Sequence, residues 1–416
     1  MARRDALTVL SPWSAGHDIR GVTRRVSLSA VAVLGLLAPT VAPFAPTAPV
    51  PDGRATPQAL DFPRIADLLV ERMSLQPGER VLLIAGRGRF EPLVPLLRER
   101  VAAAGAQDLG AISVTGEAPE AWTSEFTSGI AELAGSAVRE RFRGVDLAVM
   151  LPGATPSHGA YAAMQDVLHA GLGRTIHFHW AGAYDLDGET LPVDARVDAA
   201  YENALEYTDY EALAAAQRAF ATAMRVGTVR VTTPAGTDLR FEIGDRPVTT
   251  QDGDASAARV STARNLIDRE IELPAGAVRV APLESTVEGT IVFPPSIWGG
   301  GETTGLTLVF EGGIVVGVYA ESGAESAVSE LDAALPASRS FREFALGFNP
   351  RLAIPQTDPW IPYYGYGAGV VRLSLGDNGE LGGEVTGGYV RWNFFADATV
   401  TVGDDVWVRD GHLILP

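Results

Sequence analysis

His177 and His179 stand two residues apart in the run 175–180, whose apolar pattern predicts a strand. Side chains two apart on a strand share a face, so the two imidazoles form a feasible metal pair, and Asp185, Asp187 and Glu189 could add oxygen ligands. The competing reading is a pair of hydrogen-bonded histidines at the end of a buried strand. Ser157 and His158 are adjacent, but no G-x-S-x-G elbow accompanies them. Asp252-Gly253-Asp254 lacks the ligand spacing of an EF-hand and reads as a solvated turn. Gly86-Arg87-Gly88-Arg89 sits where dinucleotide folds place a glycine loop, but without a third glycine in frame it reads as a plain strand-to-helix turn.

Two absences narrow the chemistry further. The chain has no cysteine, which removes thiol nucleophiles, thiolate metal sites and disulfides, and all 33 of its basic residues are arginine. Without lysine there is no amine for a Schiff base and no GxxxxGK phosphate loop. A formal charge of −18 argues against a nucleic-acid partner, because phosphate binding needs a basic surface.

The elements that must position a site follow from hydrophobic period. From residue 61, helix and strand alternate. Ile65, Leu68, Leu69 and Met73 recur at helical spacing, 80–85 is a buried-strand run, and a helix carrying Leu93, Leu96, Leu97 and Val101 stops at Gly105. Strands at 109–114, 145–151 and 175–180, with a helix at 160–169, predict an α/β domain over 60–225 with a mainly parallel sheet. After a helix at 210–225, strands dominate: 226–232 and 238–243 flank a hairpin turn, and 277–281, 290–293, 306–310 and 314–319 follow, broken by one helix at 324–334. The second domain, 226–416, is thus β-rich α+β. Its stretch 363–397 combines many glycines with two apolar runs and the alternating segment Arg391-Trp392-Asn393, and is expected to form the floor of the site.

Residues 1–59 read differently. Arg24-Arg25, an apolar run of about a dozen residues and a Pro/Ala/Thr-rich segment predict an export signal of twin-arginine character, too short to span a bilayer, with cleavage between Ala42 and Ala59. The mature protein is expected to be periplasmic or secreted, with no transmembrane span.

Several segments also carry a resemblance. SLQPGERVLLIA, TPAGTDLRF, LPAGAVRVAPLESTVEGTIVF, FREFALGFNP, GVVRLSLGDN and YVRWNFFADATV resemble, in order, the thermophilic metallo-aminopeptidases of the aminopeptidase T and aminopeptidase S group, over nearly all of the chain after residue 60. The resemblance implies that fold, hydrolysis of the first peptide bond by a water activated between two divalent metal ions, and a homodimer. The family's ligands, two Glu, two His and one Asp, fall on Ala277, Glu343, Arg372, Arg391 and Asn393. Of these only Glu343 keeps the family's residue. Arginine has no lone pair for a metal, so the resemblance also implies that four of the five ligands are missing.

Three uses of such a site stay open. Glu343 could bridge the arginines structurally in place of metal. Arg372 and Arg391, with Asn393 and Trp392 beside them and Trp360, Tyr363 and Tyr364 as walls, could bind a peptide or a small carboxylate or phosphate. Hydrolysis could persist with Glu343 as general base, or with metal bound among Glu284, Glu288, Glu302, Asp377, Glu380 and Glu384.

Overall fold

The computed structural model describes residues 59–133 and 135–415. The predicted export signal lies outside the described residues, apart from its last position. Among the described residues, no helix is long and apolar enough to cross a membrane.

The first helix, Phe62–Met73, starts where Asp61 accepts a hydrogen bond from the Arg64 N–H, and it buries Ile65, Leu68, Leu69 and Met73 on one face. It leads into a five-stranded parallel sheet in the order Gln107–Ser113, Arg80–Ala85, Leu147–Met150, Arg174–Phe178, Glu270–Leu273. All four pairings are parallel, and the central strands are buried throughout. The fifth strand comes from well beyond the helix Tyr210–Met224. It sets His177 opposite Glu272 and Thr175 opposite Glu270.

Two antiparallel sheets make up most of the rest. The larger has eight strands, in the order Ile314–Tyr319, Thr307–Glu311, Glu288–Val292, Asp238–Phe241, Val229–Thr232, Thr399–Val402, Asp405–Arg409, His412–Leu413. The smaller, in the order Val390–Phe395, Val371–Gly376, Phe341–Gly347, Ala277–Val280, Thr249–Thr250, has its three central strands buried at every position. The α/β unit with a parallel sheet, followed by a β-rich part, is the architecture expected from the sequence. Helices at Gly135–Phe142 and Ala195–Tyr207 were not among the expected elements, although Val197, Tyr201, Ala204 and Leu205 recur at helical spacing in the second.

The glycine turn after the first strand has a packing role. A Cβ on Gly86 would sit 3.1 Å from the Cα of Gly153, so two strand ends meet there where no side chain fits.

Candidate functional site

Register in the smaller antiparallel sheet assembles the site. Arg279 and Arg372 both pair with Ala345, from opposite sides. Glu343 lies two residues from Ala345 and so shares its face. The small alanine leaves room for both guanidinium groups to turn toward that carboxylate. Arg279 donates from Nη2 to Glu343 Oε2 at 2.9 Å and from Nε to Oε1 at 3.4 Å. Arg372 donates to Oε1 from Nε at 3.0 Å and also from Nη2. Arg342 Nε stands 3.5 Å from Oε2, an ion-pair contact without hydrogen-bond geometry, and its Nη2 donates to Glu380. Burial alone would raise the Glu343 pKa, but Arg279, Arg372 and Arg342 hold the carboxyl well below the usual carboxylate range.

The five positions matched to the family's ligands therefore divide. Glu343 and Arg372 meet, and Ala277 is buried two residues before Arg279 on the same strand. Arg391 faces elsewhere: it donates to both oxygens of Glu330 at 3.0 and 3.2 Å, donates to the Ile297 carbonyl, and stacks 3.6 Å from the Trp298 ring centroid. Asn393 accepts from Arg391 Nε at 3.2 Å and donates to the Leu373 carbonyl. Trp392 packs 4.8 Å from the Arg372 guanidinium carbon and edge-on to Tyr364. Of the other expected walls, Tyr363 is buried with its hydroxyl on the Leu273 carbonyl, and Trp360 lines a separate surface cleft with Asp185.

A cavity of about 430 Å³ opens above this cluster, toward the parallel sheet. Its lining includes Arg279, Arg372, Trp392, Tyr364, Tyr366 and Glu380 from the β-rich part, and Gly153, Tyr161, His177, His179, Glu270 and Glu272 from the α/β part. The site thus lies at the carboxyl ends of parallel strands, where open α/β sheets commonly bind ligands. His177 and His179 stack edge-on at 5.3 Å, with Tyr161 5.4 Å from His177. Burial pushes both imidazoles below the ordinary histidine range. Glu270 accepts from Gln165 and lies 3.7 Å from His177 Nε2, and burial, reinforced by the Glu380 charge, pushes its carboxyl up to about 8.

Tyr364 reaches the cavity at a backbone cost. It follows Tyr363 in left-handed conformation, with φ of 37° and 53° for the pair. Its N–H donates to the Gly182 carbonyl, and its own carbonyl accepts from Arg372 Nη1 at 3.1 Å.

The acids expected from the sequence to supply further metal ligands do not join the histidines. Asp185 Oδ1 accepts from the N–H groups of Asp187 and Glu189 and closes a turn. Glu284 accepts from Arg246, Asn378 and the Glu384 N–H, while Asp377 accepts from the N–H groups of Gly379, Gly387 and Gly388. Among the described residues, no group of three or more His, Asp or Glu side chains is arranged to hold a metal ion. His158 Nδ1 accepts from the Thr155 N–H, and Asp252 Oδ1 accepts from the Asp254 N–H.

Sequence reasoning passed over Arg279, Glu270, Glu272 and Glu330. Arg279 had one available signal, its place two residues after Ala277 on the same strand face.

The profile of the thermophilic metalloprotease family matches residues 196–358. No curated protein matches the chain. Among solved structures, the 2,5-dihydroxypyridine dioxygenase of Pseudomonas putida is similar at a TM-score of 0.58 and 16% identity, covering 85% of this chain and 97% of its own. Wild-type AmpT of Thermus thermophilus is similar at 0.57 and 18% identity, covering 85% of this chain and 99% of its own. The profile match over 196–358 and the fold shared with AmpT make this chain similar to the thermophilic metalloproteases over that segment and in its architecture.

Proposed function

We propose that this protein is an exported aminopeptidase-family protein that does not work by the family's two-metal mechanism, a guanidinium–carboxylate cluster having replaced the metal centre. The similarity to that family carries the coarser reading, a peptidase-like protein. The observation that carries the finer one is the convergence of Arg279, Arg342 and Arg372 on Glu343.

Two divalent ions do not fit this donor set. The one carboxylate among the five matched positions already accepts four guanidinium hydrogen bonds, and a dication beside it would face the positive charges of Arg279 and Arg372 at close range. The same pairing counts against Glu343 as a general base, since a carboxylate held so strongly ionised has little proton affinity to use. It also counts against Arg372 and Arg391 as a fork for an anion, because their donors are spent on Glu343, Tyr364, Glu330, Ile297 and Asn393.

Elemental analysis of the purified mature protein, with aminoacyl-substrate assays in the presence and absence of chelator, tests the reading. The expected result is less than one transition metal per chain and no chelator-sensitive cleavage. Stoichiometric zinc, cobalt or manganese, with activity lost both in chelator and in Glu343→Gln, would overturn it.

A further inference from the structure

The cavity holds polar groups that the ion-pair cluster leaves unused. Arg279 is buried to 4% exposure, and its Nε and Nη2 are occupied by Glu343. Its Nη1 makes no hydrogen bond to the described residues, and Glu272 Oε1 stands 3.7 Å away. That nitrogen is not among the unpartnered atoms that the fold seals from solvent, so its N–H groups open onto the cavity that Arg279 lines. His179, on the opposite wall, has ring contacts with His177 and Tyr364 but no hydrogen bond to the described residues. A neutral imidazole offers one donor and one acceptor. Tyr161, Tyr364 and Trp392 supply flat apolar surface between these polar points.

We propose that this cavity binds a small, uncharged, planar molecule bearing a carbonyl oxygen, a carboxamide being the simplest case, with Arg279 Nη1 donating to that oxygen and the aromatic side chains stacking on the plane.

Charge balance selects the neutral ligand. Three guanidinium groups, on Arg279, Arg342 and Arg372, meet three carboxylates, on Glu272, Glu343 and Glu380. Glu270 adds little charge at neutral pH, since burial keeps its carboxyl largely protonated. An anion or a cation entering this poorly solvated space would carry a charge with no counterpart. The carbonyl of a neutral molecule meets the open N–H groups without disturbing the balance.

The inference rests on the reading that the cluster stands in place of metal, and the test separates the two. Benzamide, benzoate and benzamidinium have nearly one shape and three charges. Their binding to the mature protein as purified is measured by calorimetry, with metal content determined on the same samples. Benzamide is expected to bind at least about tenfold more tightly than either ion, and to lose about tenfold or more in Arg279→Met. Because Arg279→Met strips a partner from buried Glu343 and can unfold the chain, Trp392→Ala, at a partly exposed indole, is the second variant and is expected to weaken benzamide severalfold. Preference for benzoate or benzamidinium, silence from all three probes, or unchanged affinity in folded Trp392→Ala would overturn the assignment. Bound metal together with benzamide binding would overturn the reading of the cluster and leave the cavity assignment standing.

Discussion

Arg372 donates from Nε to Glu343 Oε1 at 3.0 Å, between neighbouring strands and with both side chains almost wholly buried. Buried ion pairs of this kind are weak evidence of net stabilisation, but they are costly to break from one side. The carboxylate is the shared partner and each arginine is one of several.

That asymmetry can be measured. Glu343→Ala is expected to destabilise the protein by about 3–5 kcal/mol, because it leaves Arg279 and Arg372 charged and buried without their acceptor. Arg372→Met is expected to cost less, since Arg279 still holds the carboxylate. Denaturant midpoints at neutral pH for the two variants give the order, and equal losses would contradict it.

Stability should respond to pH with two opposite limbs. Glu343 has a folded pKa below its unfolded value, so its contribution is present above about 4.5 and is lost as pH falls further. Glu270 is shifted the other way, from 4.5 to about 8, so the folded state binds a proton that the unfolded state has released. Its contribution is fully present below 4.5 and declines as pH rises to 8, by at most about 1.4 kcal/mol per pH unit. Unfolding curves from pH 5 to 8 should show that decline, and Glu270→Gln should flatten it.

Gly182→Ala is expected to strain the site. Gly182 has φ of 76°, and a Cβ there would stand 2.6 Å from the Tyr364 ring. The cost should be about 1–3 kcal/mol, and benzamide affinity should fall with it, because the ring that must move is a wall of the cavity.

Arg391→Met should be milder than Glu343→Ala, at about 1–2 kcal/mol. The Glu330 carboxylate left behind still accepts from the Tyr389 hydroxyl and the Gly299 N–H, so no buried charge is orphaned. Thermal denaturation of the two variants side by side checks the ranking.

Export has its own readout. The mature N-terminus is expected between Ala42 and Ala59, and the intact mass of protein recovered outside the cytoplasm, when the full chain is expressed, reports it. Recovery of only the uncleaved cytoplasmic form would contradict the proposal.

The sequence carried the architecture well where side-chain period is strong. Leu82, Leu83 and Ile84, or Ile65, Leu68 and Leu69, declare their element without reference to any neighbour. It carried the site less fully, because the site depends on register between strands far apart in the chain. Arg279 was hidden in a short apolar run, and only its pairing beside Ala345 brings it to Glu343. Glu270 and Glu272 lie on a strand that the sequence reading did not predict, and parallel pairing is what sets them against Thr175 and His177. Arg391 and Asn393 were visible, but the direction in which Arg391 turns is decided by Trp298 and Glu330, residues with no local link to it.

The strand Glu270–Leu273 closes one edge of the parallel sheet, yet more than ninety residues of chain lie between it and its partner Arg174–Phe178. During synthesis the first four strands therefore emerge with an open edge, and Arg174–Phe178 has no outer neighbour until the helices and the first hairpin have been made. Long-range parallel pairing of this kind is slow to form and exposes the nascent chain to wrong partners. Because the cavity takes Glu270 and Glu272 from that strand, and Arg372 and Trp392 from strands made later still, its lining is complete only when nearly the whole chain has been synthesised.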